Sequence, residues 1–217
     1  MNVLLTGSSR GIGNSIKIEL ESKGYTIISP SRSELDLANY DSVNKYEPPC
    51  EIDVLINNAG INYLSDITSI TIDKVSEMMQ VNVISPMFLI NKVSKSMISR
   101  KYGKILNISS IFGSRSKEKR VMYSTTKSAI EGMTRGVAMD LSKYNIMVNS
   151  VSPGYVDTSL TKQNNTEQEL EIIKSKIPMK MLAEPKDIAN VVMFLISKEN
   201  TYVTGQNIFV DGGLSIC

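Results

Sequence analysis

The chain has 217 residues, 41% of them apolar, with 24 Lys and Arg against 22 Asp and Glu and a formal net charge of +2. That length suits a single domain, residues 1–217, with a full-sized core, and so small a net charge argues against the concentrated basic face that nucleic-acid binding needs. No apolar run reaches the ~18 residues of a membrane span, Cys50 and Cys217 have no partner at motif spacing, and there is no histidine. These absences argue against a disulfide framework and a metal site and exclude a Ser-His-Asp triad; the expectation is a reduced, cytoplasmic protein whose general acid or base is Tyr, Lys, Asp, Glu or Cys.

In chain order, "NVLLTG" reads as a strand and "GNSIKIELESKG" as a helix with Ile16 and Leu20 on its inner face. "YTIISPS" and "DVLINNAG" follow as strands. "TIDKVSEMMQVNVISPMFLINKVSKSMISR" then reads as one long helix, kinked at Pro86. "KILNISS" and "IMVNSVSPG" are strands on either side of a second long helix, "YSTTKSAIEGMTRGVAMDLSKY". "EPKDIANVVMFLIS" is a shorter helix and "QNIFVDGG" the last strand. Strands apolar throughout, alternating with helices, predict an α/β fold: a doubly wound parallel sheet covered on both faces. Residues 159–185 are polar, charged and weakly patterned, and they follow a strand end, where open α/β sheets bind ligands. They read either as a substrate flap or as plain surface helix.

"LLTGSSRGIGNSI" places a glycine loop between the first strand and the first helix. Gly7 allows the turn off the strand, Gly11 lets backbone approach a pyrophosphate, and Gly13 lets the helix pack on the sheet. The spacing is G-x3-G-x-G, and its position after a strand and before a helix favours a nucleotide site over an ordinary turn. At the end of the second strand, "IISPSRSELDL" puts Ser31 and Arg32 where an acid for the NAD ribose would stand. With Arg10 in the loop, Arg32 favours a 2′-phosphate, hence NADP over NAD, because guanidinium forks suit phosphate oxygens. Glu34 competes for the same space, and a merely solvated Arg32 is the alternative reading.

Tyr123 and Lys127 lie four apart, on one helical face. An ammonium beside a phenol favours phenolate and makes an acid/base group, yet on spacing alone the pair reads as an ordinary surface pair.

Together, "TGSSRGIG", "NNAG", "ILNISSIFG", "YSTTK", "VNSVSPGYVDT" and "VTGQNIFVDGG" resemble the classical short-chain dehydrogenase/reductase family, in order, from residue 3 to about 214. The likeness is nearest to its 3-oxoacyl-acyl-carrier reductases. The resemblance implies a Rossmann-type fold with Tyr123 as catalytic acid/base and Ser110 as the hydroxyl that binds the carbonyl. It implies Lys127 as the group that holds the nicotinamide ribose and lowers the phenol's pKa, and Asn82 as the residue completing a proton relay through water. It further implies cofactor contacts from Gly7, Ser9, Arg10, Gly11, Ile12 and Gly13, from Asn58, Ala59 and Gly60, from Val156 and Thr158, and from Asp36 with Leu37 at the adenine.

The expected function is NADP(H)-dependent hydride transfer between nicotinamide and a carbonyl or secondary alcohol. The alternatives are an NAD-dependent alcohol dehydrogenase and a non-catalytic nucleotide-sensing protein of the same fold. Arg115, Lys117, Lys119 and Arg120, around Glu118 before the tyrosine, suggest an anionic or carrier-bound substrate such as a 3-oxoacyl thioester, or else a solvated loop. Lys101 is a further basic residue of the kind acyl-carrier reductases use. Met78, Met79, Met87, Met97, Met133 and Met139 on the two long helices suggest apolar surface for a homodimer or homotetramer. The chain departs from the family after the second strand, where the family's helix reads as deleted.

Overall fold

Six parallel strands form one sheet in the computed structural model, which describes residues 1–217, in the order β2-β1-β3-β4-β5-β6. They are β1 (Asn2–Leu5), β2 (Thr26–Ile28), β3 (Val54–Asn57), β4 (Gly103–Ile108), β5 (Ile146–Pro153) and β6 (Asn207–Val210). The side chains of β1 alternate as a strand requires. Val3 and Leu5 join a core against α1 (Gly11–Ser22) and α8 (Pro185–Ile196), which includes Ile16, Leu20, Ile188 and Val192. Leu4 joins the core on the other face, against α4 (Ser85–Arg100) and α5 (Val121–Leu141), with Leu89, Val93, Met97 and Ile130. Burial on both faces is why β1, β3 and β4 consist mainly of Val, Leu and Ile. The chain leaves β1 for β2 on one side and returns to β3 on the other, so a crevice opens above the carboxyl ends of β1 and β3.

Three features differ from the sequence expectation. The first long helix is α3 (Ile72–Met79) and α4 joined by a π-helical turn, Gln80–Ile84, in which the Ser85 N–H donates to the Gln80 carbonyl. Pro86 opens α4 instead of kinking a continuous helix. Having no N–H, it cannot donate to the carbonyl of Asn82 four residues earlier, and the wider turn accommodates that missing bond.

The segment between β2 and β3 holds no strand. Ser31–Asn39 fold as turns where a helix is missing, but a six-residue helix, α2 (Tyr40–Lys45), follows, capped by Asn39. The methionines, finally, are not one apolar face. Met78, Met97 and Met133 are buried in the chain's own core; only Met87 and Met139, the latter 82% exposed, stand clearly in solvent. The 159–185 segment folds as α6 (Ser159–Gln163) and α7 (Glu167–Lys176), with Thr166 and Glu169 forming a capping box for α7.

Candidate active site

The glycine loop crosses the end of β1 and hands the chain to α1. Gly7 is left-handed, with φ +67, and a Cβ there would lie 2.8 Å from the Cα of Ala59. A Cβ on Gly13 would run into the Gly7 carbonyl and the Asn58 amide. Asn58 secures this contact by donating from Nδ2 to the carbonyls of Thr6 (3.0 Å) and Gly7 (2.9 Å). The loop is thus held against "NNAG" at the closest approach two backbones allow. The amino end of α1 is left facing the crevice, with Arg10 at its N-cap.

Across the crevice, β4 ends in two serines with different surroundings. Ser109 donates to the Lys127 carbonyl (3.2 Å) and to Glu131 Oε1 (3.2 Å), a structural link to α5. Ser110 accepts the Phe112 N–H (3.2 Å), and its hydroxyl acts on the Tyr123 phenol in the sense that favours phenolate. Lys127 is 4% exposed; its Nζ donates to the Ile108 carbonyl at 2.8 Å and stands 5.5 Å from the centre of the Tyr123 ring. Asn82 lies behind them, 1% exposed, with its amide committed. Nδ2 donates to the Ile61 carbonyl (2.9 Å) and Thr126 Oγ1 (3.1 Å), and Oδ1 accepts the Ile61 N–H (2.9 Å). Pro86, four residues on, has no N–H to give to the Asn82 main-chain carbonyl.

Electrostatics correct one expectation. Tyr123 is pushed above the usual phenol range, chiefly because the surrounding protein disfavours a buried anion; Ser110 and the Arg120 guanidinium oppose that effect without overcoming it. Burial lowers Lys127 itself to about 8, because its ammonium is enclosed with a carbonyl for a partner and no carboxylate.

One cavity of about 500 Å³ joins the two ends. Of the expected site residues, Gly7, Ser9, Arg10, Gly11, Ile12, Gly13, Asn58, Ala59, Gly60, Ser110, Tyr123, Lys127, Val156 and Thr158 line it, and Asn82 stands one layer behind. Arg32, Asp36 and Leu37 do not reach it. Arg32 is 79% exposed and pairs with Asp36 (3.4 Å), Asp36 also accepts the Ala38 N–H, and the Leu37 carbonyl accepts from Ser85. Glu34 is turned onto the N–H and hydroxyl of Ser31. Lys101 ends α4 in a left-handed turn just before β4, at the opposite end of that six-residue strand from the serines.

The loop cations also separate. Arg115 donates to the Leu214 and Cys217 carbonyls, Lys119 faces Asp66 and Lys117 approaches the Tyr155 ring, while Arg120 is buried. Arg120, Asn62, Phe112 and Tyr155 line the cavity without having been singled out by motif. Arg120 stood in the sequence only as one of four loop cations, and nothing in its spacing marked it as the one facing inward.

The cavity wall holds three cations, Arg10, Arg120 and Lys127, and no Asp or Glu. A glycine loop with no room for a Cβ at Gly7 or Gly13, an open helix amino terminus and an excess of positive charge fit a nicotinamide dinucleotide, whose pyrophosphate would lie against the loop. Fold and site together define a dinucleotide-binding oxidoreductase of the doubly wound class.

Comparison with known proteins narrows that class. A family model described as Enoyl-(Acyl carrier protein) reductase matches residues 41–215. The chain is 34% identical to the 3-oxoacyl-(acyl-carrier-protein) reductase FabG of Buchnera aphidicola subsp. Schizaphis graminum, over 97% of this chain and 96% of that protein. Among solved structures, a 4-hydroxyisoleucine dehydrogenase complexed with NADH and succinate superposes with a TM-score of 0.90 at 27% identity, covering 99% of this chain and 100% of that one. ElxO with NADP bound superposes with a TM-score of 0.89 at 28% identity, covering 100% and 99%. The chain belongs to the classical short-chain dehydrogenase/reductase family, and it is an oxidoreductase acting on CH–OH or C=O groups with a nicotinamide cofactor. No helix is long and apolar enough to cross a membrane.

Proposed function

We propose that the chain is an NADP(H)-dependent reductase of a carbonyl compound that carries negative charge, working through Ser110, Tyr123, Lys127 and Asn82. The observation that carries this reading is that the glycine loop and the Ser110–Tyr123–Lys127 group line one cavity. A bound nicotinamide supplies the hydride. Ser110 and Tyr123 donate hydrogen bonds to the substrate oxygen, and Tyr123 transfers its proton there as charge builds on that oxygen. A phenol raised by burial starts protonated, as a donor in the reducing direction must. Lys127 holds the nicotinamide ribose, and Asn82 fixes the strand-end backbone at Ile61 and offers its main-chain carbonyl to a relay water.

NADP(H) is assigned because Arg10 stands at the N-cap of α1 and Arg32 keeps an exposed guanidinium in the turn after β2, while both nearby acids are occupied by the chain's own donors, Glu34 by Ser31 and Asp36 by Ala38 and Arg32. The NAD alternative rests on Glu34, which a ribose hydroxyl could draw from Ser31. ElxO holds NADP and the 4-hydroxyisoleucine dehydrogenase holds NADH, so relatives of both kinds share this fold. Negative charge on the substrate is supported by the cavity's three cations and by the succinate in the 4-hydroxyisoleucine dehydrogenase structure.

Segment 159–185 is proposed as the flap over the substrate, since Ser159, Leu160, Thr161, Asn164 and Asn165 line the cavity mouth. Pairing of the α4 and α5 helices into a dimer is proposed on Met87, Val121 and Met139, which remain exposed. Fluorescence titration with NADPH and NADH, on wild type and Tyr123→Phe, followed by assay of a ketone panel including 3-oxoacyl thioesters, tests the reading. Tighter NADPH binding in both proteins with turnover confined to wild type is expected. Binding of neither nucleotide would overturn it and bring forward the non-catalytic alternative.

A further inference from the structure

Arg120 is the one cation of the cavity wall that the reading above leaves without a task. Arg10 stands at the glycine loop, and Lys127 is committed to the Ile108 carbonyl. Arg120 is 4% exposed, its guanidinium makes no salt bridge and no side-chain hydrogen bond, and its buried Nε has no partner at all. It is held at the catalytic end of the cavity. The guanidinium lies 5.1 Å from the centre of the Phe112 ring, and that ring packs edge-on against both Tyr123 and Tyr155. Arg120 is the N-cap of α5, three residues before Tyr123, so both side chains rise from the first turn of that helix.

A buried guanidinium without an anion is costly, and burial indeed lowers the Arg120 pKa. Proteins keep such a group where a ligand supplies the missing charge. In this aromatic, low-dielectric pocket a planar, forked donor matches a carboxylate bidentately. Asn62 Oδ1, also buried and unpartnered, lines the same cavity and adds an acceptor for a donor on the same ligand.

We propose that Arg120 is the specificity anchor for a free carboxylate on the substrate, so that the enzyme interconverts a small oxo acid and its hydroxy acid. This rests on the oxidoreductase reading and narrows its anionic substrate from a carrier-bound thioester, whose acyl carbonyl has no charge at that position, to an acid. Arg120 touches no reacting atom; it fixes where the carbonyl lies relative to Ser110 and Tyr123.

The test uses pyruvate, acetoacetate and levulinate, each beside its methyl ester, with NADPH and, in parallel, NADH. Wild type is expected to prefer at least one acid over its ester by about 100-fold in kcat/KM, because an ester leaves the buried guanidinium unpaired. Arg120→Gln should collapse that ratio to within about 5-fold of unity, and Arg120→Lys, which keeps the charge but not the fork, should retain an intermediate preference. Should the glutamine variant fail to fold, the ratio in the lysine variant carries the test; nucleotide fluorescence identifies folded protein.

Calorimetric titration of the same acids into nucleotide-saturated protein provides a readout free of turnover. Esters matching acids in wild type, or an acid-to-ester ratio unchanged in both variants, would overturn the proposal. Reduction of esters and 3-oxoacyl thioesters with indifference to acids would overturn it while leaving the oxidoreductase reading intact. Arg120-dependent binding of acids without turnover would support the anchor and count against the assigned chemistry. No binding and no turnover of any acid or ester would overturn the anchor.

Discussion

At the catalytic end of the cavity, Asn82, Ser109, Ser110 and Lys127 are each tied to named backbone or side-chain partners beneath two long helices. Beyond the glycine-loop end, Arg32 is 79% exposed and pairs with Asp36, while Glu34 is turned onto Ser31. The difference follows from how much chain covers each end. β4 and β5 are buried along nearly their whole length and carry α5 across them, whereas the path from β2 to β3 is short and contributes one six-residue helix. Burial makes the catalytic groups interdependent, so single changes there should be severe; exposure makes the adenosine end tolerant, so changes there should tune affinity and little else.

The sharpest break in that comparison is Tyr123→Phe. It removes the proton donor while keeping the ring against Phe112, and kcat should fall by about 10² to 10⁴ with nucleotide affinity within about 10-fold of wild type, as stopped-flow turnover and fluorescence titration would show.

Lys127→Met should likewise abolish turnover, but with stability moving the other way. Folding holds the Lys127 pKa at about 8 against an ordinary 10.5, so between those values the unfolded chain binds more protons and stability rises with pH; below about 8 that contribution is absent. The variant should flatten this rise, amounting to about 3 kcal/mol, and melt higher than wild type at neutral pH without nucleotide. Tyr123, held above its usual range, bends the curve downward only beyond pH ~10. Urea titrations at intervals across this alkaline range would decide it; parallel curves for the two proteins would remove Lys127 as the buried charge.

Gly13→Ala puts a methyl group into the Gly7 carbonyl and should weaken nucleotide binding about 10- to 100-fold, with about 1–3 kcal/mol of lost stability. Asn82→Ala deletes the ties to Ile61 and Thr126 and should lower kcat about 10- to 100-fold through misplaced backbone, with a smaller change in KM. Arg32→Asp should be the mildest. An exposed cation contributes on the order of 1 kcal/mol or less, so NADPH should weaken by about 5-fold and NADH hardly at all. Equal weakening of both would remove Arg32 from 2′-phosphate recognition.

The central strands β1, β3, β4 and β5 were legible because they are buried nearly throughout, and the glycine loop was legible because a side chain at Gly7 or Gly13 would run into backbone. The family spacing singled out Ser110, thirteen residues before Tyr123, whereas the commitment of its neighbour Ser109 to the Lys127 carbonyl and Glu131 depends on where α5 lies and was not legible. The π turn at Gln80–Ile84 was not legible, because local sequence reports the missing N–H of Pro86 but not how the helix absorbs it. The methionines misled for a related reason: helical period places an apolar side chain on a face, while the curvature of the sheet decides which faces are covered.

By itself, the sequence determined the alternation of strand and helix, the dinucleotide loop and the Tyr123–Lys127 pair, all of which are local patterns set by backbone geometry and side-chain period. Only the tertiary structure decided which cation faces inward. Arg115, Lys117, Lys119 and Arg120 are chemically alike along the chain. Packing against Phe112, set by where β4 and α5 meet, strips water from Arg120 alone and leaves a charge in the cavity with no protein anion to answer it.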